Sequence, residues 1–111
     1  MEDWFKSSPE LSIEGIMIGR GVTPIRCAIV VAANSDIVQL KAMNGKRVAY
    51  PSADAFVAYA VPKVILRGLG VREQEVFSGN QDAALNELRF RRVDTAAVNS
   101  RFLRQYEEQT G

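Results

Sequence analysis

The residues best able to hold a ligand fall in one short stretch, where the apolar run Val48-Ala49-Tyr50 stops at Pro51 and the polar turn Ser52-Ala53-Asp54 leads onto a helix N-terminus with unpaired N–H groups. Asn80 and Asn99 add neutral amides further along, each at the opening of a helix. Hydroxyls, amides and a carboxylate of this kind recognise by hydrogen bonding. They do not assemble a bond-making centre. The chain has no histidine, which removes the usual general base and the commonest transition-metal ligand. A single cysteine, Cys27, lies in an apolar run and reads as a small buried side chain, with no intrachain disulfide or cysteine cluster available. The thirteen acidic residues are scattered over turns and helix faces, leaving Asp54 with Lys46 as the one pair worth testing for catalysis. The expectation is a non-enzyme without metal or cofactor.

Each of these groups also has an ordinary structural role. Tyr50 and Tyr59 could simply pack, since buried aromatics contribute most through area. Ser52, Asp54 and Asn80 stand where helix N-caps are expected. Phe56 is the sharpest marker, because a large aromatic in a helix's first turn beside a cleft must meet either a ligand or an opposing surface. Left uncovered, it invites self-association.

The elements that must position these residues alternate between strand and helix. Ile25 to Ala33 is the most β-rich segment and reads as a central strand. Ile13 to Ile18 reads as an edge strand, and Gly19 to Pro24 as the turn between the two. Asn34-Ser35-Asp36 supplies cap chemistry for a short helix carrying Ile37, Leu40 and Met43, closed by Gly45. Lys46 to Tyr50 is the next strand. Its end, Tyr50-Pro51, leads through a polar turn into a helix from Asp54 to about Leu69, which Pro62 should kink or split. Glu75 to Ser78 is a strand, Asn80 caps a helix bearing Ala84, Leu85 and Leu88, and Asp94 to Val98 is a strand. A last helix carries Phe102, Leu103 and Tyr106. Such alternation implies parallel strands with right-handed crossovers and ligands in the crevice at the strands' carboxyl ends.

Composition sets the outer bounds. The length of 111 residues is that of one domain, and 47% hydrophobic with 24% charged residues is ordinary for a globular one. A net charge of +1 offers no footprint for nucleic acid. The N-terminal residues carry acidic groups where a signal peptide carries basic ones. Residues 1–12 have no period and are expected to be a poorly structured tail, with 13–111 forming a single α/β lobe.

Within that frame, LKAMNGKRVAYPSADAFVAYAVPKVILRGLGV, then VFSGNQDAALNEL, then VDTAAVNSRFL, resemble the phosphate/phosphonate-type periplasmic solute-binding proteins of ABC transporters. The landmarks appear in the same order and at similar spacing over roughly residues 25–104. The resemblance implies one lobe, the second, of a type II periplasmic-binding fold. That lobe is a three-layer sandwich around a mostly parallel sheet of about four or five strands, with strand 25–33 antiparallel. It implies capture of a small-molecule solute between this lobe and a missing first lobe, delivery to a membrane permease, and a periplasmic or extracytoplasmic setting for the parent protein. The rival reading is an extracytoplasmic ligand-sensing domain of a signalling protein such as a membrane histidine kinase.

The same resemblance places the site at Tyr50, Ser52, Asp54, Ala55, Phe56, Val57, Tyr59, Asn80, Gln81 and Asn99. Relatives that hold phosphonate carry Ser-Thr-Ser where this chain has Ala55, Phe56 and Val57. The Ser-His pair some of them carry after Ser-Gly is here Asn80-Gln81, and Asn99 stands where several carry Asp. These departures imply a neutral, zwitterionic or cationic solute in place of a phosphonate.

Overall fold

The computed structural model describes residues 4–7, 12–18 and 22–110. Its axis is β3 (Val22–Ala32), the segment whose β-branched content is densest. β1 (Phe5–Lys6) and β2 (Ser12–Ile18) pair antiparallel with opposite ends of β3, in registers Lys6↔Val31 and Ile13↔Cys27. On the other edge of β3, β6 (Thr95–Asn99) pairs antiparallel, with Ile29 opposite Ala97. β4 (Arg47–Tyr50) runs parallel to β6, and β5 (Gln74–Phe77) parallel to β4. The order β1-β3-β6-β4-β5, with β2 also on β3, makes one six-stranded mixed sheet.

The antiparallel placing of strand 25–33 is as expected from the sequence. The sheet is wider than expected because the N-terminal segment joins it. Phe5 and Lys6 add a short strand, and Ala33 N–H donates to the Trp4 carbonyl at 2.8 Å. β3 also starts at Val22, inside the segment read as a turn. Pro24 is tolerated there because β6 pairs only from Cys27 onward, so a residue without an N–H sits beside an open edge.

Strand alternation divides the core in two. Cys27, Ile29 and Val31 of β3, Val48 and Tyr50 of β4 and Ala97 of β6 join Ile37, Met43, Leu66 and Val71 on one face. Ala28, Val30, Ala49, Ala96 and Val98 join Leu85, Leu88, Val93 and Leu103 on the other. α1 (Val61–Gly68) covers the first face; α2 (Gln81–Arg89) and α3 (Ser100–Thr110) cover the second, giving the expected three layers. Trp4 and Phe5 pack against Tyr106 at 6.5 and 5.9 Å between ring centroids, fastening the N-terminal segment to α3.

Two local expectations change. The helix foreseen after Asn34 is only a 3₁₀ turn, Leu40–Met43, preceded by Gln39 with no side-chain cap. The Ser35 hydroxyl takes the Ile37 N–H at 3.1 Å instead, a local turn that competes with helix nucleation. Ile37 and Met43 are nonetheless buried. Around Pro62 the chain resolves into two pieces: a π-helical segment, Phe56–Ala60, feeds α1, with Pro62 in the first turn where its missing donor costs nothing. The Ala60 N–H reaches back five residues to the Ala55 carbonyl at 3.0 Å.

Candidate functional site

Three parallel strands end on the same side of the sheet. β4 delivers Pro51 and the π segment, β5 delivers Gly79 and the start of α2, and β6 ends at Asn99 and opens α3. The turns are locked together by backbone bonds: Ser78 N–H donates to Tyr50 O at 2.9 Å, and Gly79 N–H to Pro51 O at 2.8 Å. Gly79 takes φ 103°, a conformation open to glycine and strained for other residues. Between these turns lies a concavity of ≈ 260 Å³ lined by Pro51, Ala55, Val57, Ala58, Gln81 and Asn99. Four of those six residues were foreseen from the sequence. Pro51 and Ala58 were not, although Ala58 lies one helical turn beyond Ala55 and so shares its face.

The two amides at this concavity are held by their oxygens. Gln81 Oε1 accepts the Asn99 backbone N–H at 2.5 Å, stapling the start of α2 to the end of β6. Asn99 Oδ1 accepts the Arg101 N–H at 2.8 Å, capping α3. Asn80 caps α2 in the same way, its Oδ1 accepting from Ala83 N–H at 2.8 Å. A backbone N–H can only donate, so these bonds fix which end of each amide is oxygen. Each staple therefore leaves an NH₂ group over.

The other foreseen residues divide between the rim and the interior. Ser52 donates to Asp54 Oδ1 at 2.7 Å, and the pair is locked on itself without capping the helix. That bond, with Asp54's own amide, holds the Asp54 carboxyl below its usual range, so it is ionised at neutral pH. Phe56 is placed by its backbone in the π segment, and its side chain lies outside the described residues. Tyr50 has no exposed surface and lies in the core on the α1 face. Its hydroxyl donates to Glu73, whose side chain is itself fully buried. Tyr59 packs edge-on against Tyr50 at 5.0 Å and Phe77 at 5.2 Å, and donates to Glu75 at 2.7 Å. Lys63 bonds both carboxylates, at 3.1 Å to Glu73 and 2.9 Å to Glu75, and Arg67 approaches Glu73 at 3.5 Å. The two tyrosines thus belong to a charged cluster under α1 and do not line the concavity.

A larger recess of ≈ 430 Å³ lies at the opposite ends of the strands, lined by Asn34, Asp36, Lys46, Arg91 and Asp94 among others. Lys46 precedes β4 and Asp54 follows it, so the one acid–base pair considered from the sequence is split by the length of the strand. Burial pushes the Cys27 thiol up to about 12, which makes it an inert core group. The smaller concavity is the better ligand site by position, since crevices at the carboxyl ends of parallel strands are where α/β sheets take ligands.

A family model described as the phosphonate periplasmic substrate-binding protein of ABC transporters matches residues 16–111. The chain belongs to this family. No curated protein and no solved structure matches it. The family is one of periplasmic substrate-binding proteins rather than of enzymes, and implies a small-molecule solute and a transporter permease as partner. Among the described residues that line the concavity there is no cation, and the positions where the resemblance implies hydroxyls are apolar.

Proposed function

We propose that residues 13–111 form one ligand-binding lobe of a solute-binding protein that closes by hinge motion over a small solute and presents it to a transporter permease. The observation that carries this reading is the concavity at Pro51, Ala55, Ala58, Gln81 and Asn99, which sits at three strand ends in a chain of this family. One lobe supplies one wall. Closure against a second lobe would add the remaining contacts, and those made only in the closed form would hold it shut. Ser52, Asp54 and Asn80 form the rim in this reading, with Tyr50 and Tyr59 supporting the turn from below. Self-association belongs to the same proposal, supported by exposed Val64 and Ile65 on α1 and Leu69 just after it.

The reading is tested by calorimetric titration of the 111-residue chain with methylphosphonate. A single wall should bind no more tightly than about 1 mM, equivalent to about 4 kcal/mol. A micromolar dissociation constant would show a complete site within the chain and overturn the one-wall reading.

A further inference from the structure

The two amides that line the concavity are spent unequally. Gln81 Oε1 is taken by the Asn99 backbone N–H, and Asn99 Oδ1 by the Arg101 N–H. Among the described residues no hydrogen bond engages the Gln81 or Asn99 NH₂ group. Among the described residues the rest of the lining is Pro, Ala or Val, and none carries a charge. The polar side-chain equipment of this wall is therefore a pair of neutral donors set among apolar groups. Each amide oxygen already accepts one backbone N–H and has one lone pair left, whereas both NH₂ groups keep their full donor capacity.

Resting on the reading of the concavity as a ligand wall, we propose that Gln81 and Asn99 determine specificity for a neutral solute whose carbonyl-type oxygen sits beside a small apolar group, as in an amide or ester. Three physical points select that class. An ammonium group brings only donors; it gains nothing from the NH₂ groups and finds one remaining lone pair on each amide oxygen, with no carboxylate among the described lining residues to offset its desolvation. A phosphonate brings acceptors but also charge, and the described residues of this wall include no cation to offset its desolvation, while ionised Asp54 follows the same turn. A carbonyl oxygen has two lone pairs for two donors, and its alkyl substituents match Pro51, Ala55, Val57 and Ala58. The class is narrower than the neutral, zwitterionic or cationic range expected from the sequence, because the sequence does not show which half of each amide is already bonded.

Two substitutions separate this role from the structural one. In Gln81→Glu a carboxylate oxygen still accepts the Asn99 N–H, and in Asn99→Asp it still caps α3, but each loses its NH₂ donor. The experiment is a ¹H–¹⁵N titration of the 111-residue chain that follows the side-chain NH₂ signals of Gln81 and Asn99, with the Ala55 and Ala58 amides as reporters on the opposite wall. The probes are N,N-dimethylacetamide (neutral, acceptor only), methylphosphonate and methylammonium. N,N-dimethylacetamide should move all four reporters saturably at tens of millimolar, and the other two probes should need several-fold more. Each substitution should weaken the N,N-dimethylacetamide response about three- to tenfold, the range expected for one lost hydrogen bond.

If methylphosphonate or methylammonium shifts the reporters at lower concentration, the specificity assignment is wrong while the concavity remains a binding wall. If both substituted chains respond to N,N-dimethylacetamide as the parent does, the amide donors are not used, and the assignment is overturned in the same way. If no probe moves Ala55, Ala58, Gln81 or Asn99, the ligand-wall reading itself fails, and this inference with it.

Discussion

Two polar regions lie on either side of the turn after Tyr50, and they are built on opposite principles. Under α1, Tyr50, Glu73, Lys63, Glu75 and Tyr59 form a charged cluster in which each carboxylate has at least two partners. Above the strand ends, Gln81 and Asn99 form a neutral pair in which each oxygen is bonded and each NH₂ is left over. A closed network is worth more the less it can bind anything else, because every lone pair and proton already has a protein partner. A half-closed one keeps its shape and still has something to offer a ligand. The first region anchors α1 against β4 and the start of β5; the second presents a surface.

The largest effect that can break this contrast is Glu73→Ala. It leaves Lys63 and the Tyr50 hydroxyl short of a buried partner, and should destabilise the fold by about 3 kcal/mol in urea unfolding followed by circular dichroism. A loss below about 1 kcal/mol would mean that the cluster is not the anchor described.

Tyr50→Phe keeps the ring and removes one bond to Glu73, so it should cost about 1 kcal/mol. It has a pH signature as well. Burial, followed by the Glu73 hydrogen bond and charge, pushes the Tyr50 phenol far above its ordinary value of 10. A group raised in the folded state contributes stability that is full below about pH 10 and lost above it. Alkaline unfolding should therefore begin above that point, and phenolate absorbance should show Tyr50 silent until the fold opens. Titration of Tyr50 in the intact fold would contradict its burial.

The neutral pair should behave differently. Asn80→Ala removes only the cap of α2 and should cost about 1 kcal/mol. Gln81→Glu and Asn99→Asp keep their acceptor bonds and should change the urea midpoint by less than about 0.5 kcal/mol equivalent, the range of surface substitutions. A larger loss in either would show that the NH₂ group is part of the fold, which would erase the contrast.

The smallest effect is at the acid limb. Hydrogen bonds from Tyr59 and Lys63 hold the Glu75 carboxyl below its ordinary 4.5. A depressed carboxyl contributes stability that is present above the unfolded value and lost as pH falls through the folded one. Glu75→Gln should thus flatten the stability profile below about pH 4.5 and leave its slope near neutrality unchanged, read from urea midpoints across pH. An unchanged acid limb would place the titrating group elsewhere.

The sequence alone settled much of the architecture. Short β-branched runs, the Tyr50-Pro51 stop, the Asn80 cap and Gly45 each act through local sterics and nearest-neighbour hydrogen bonds, which a linear reading captures. The segment Phe5–Lys6 escaped it, because a two-residue strand has no period and exists only through its partners Val31 and Ala32. The helix after Asn34 escaped it too, since Ser35 offered the backbone a competing local bond. Family and chain order were also legible, as the match over residues 16–111 shows.

Only the tertiary structure decided what the polar residues near the strand ends do. Tyr50 and Gln81 are equally polar on paper. Strand alternation turned Tyr50 inward, where Glu73 and Lys63 arrive from positions far along the chain. Gln81 instead meets the Asn99 N–H eighteen residues on, which consumes its oxygen and leaves its NH₂ beside a concavity. Residue type sets how many hydrogen bonds a side chain can make. Which of them remain unmade depends on long-range packing, and that remainder is what a ligand can use.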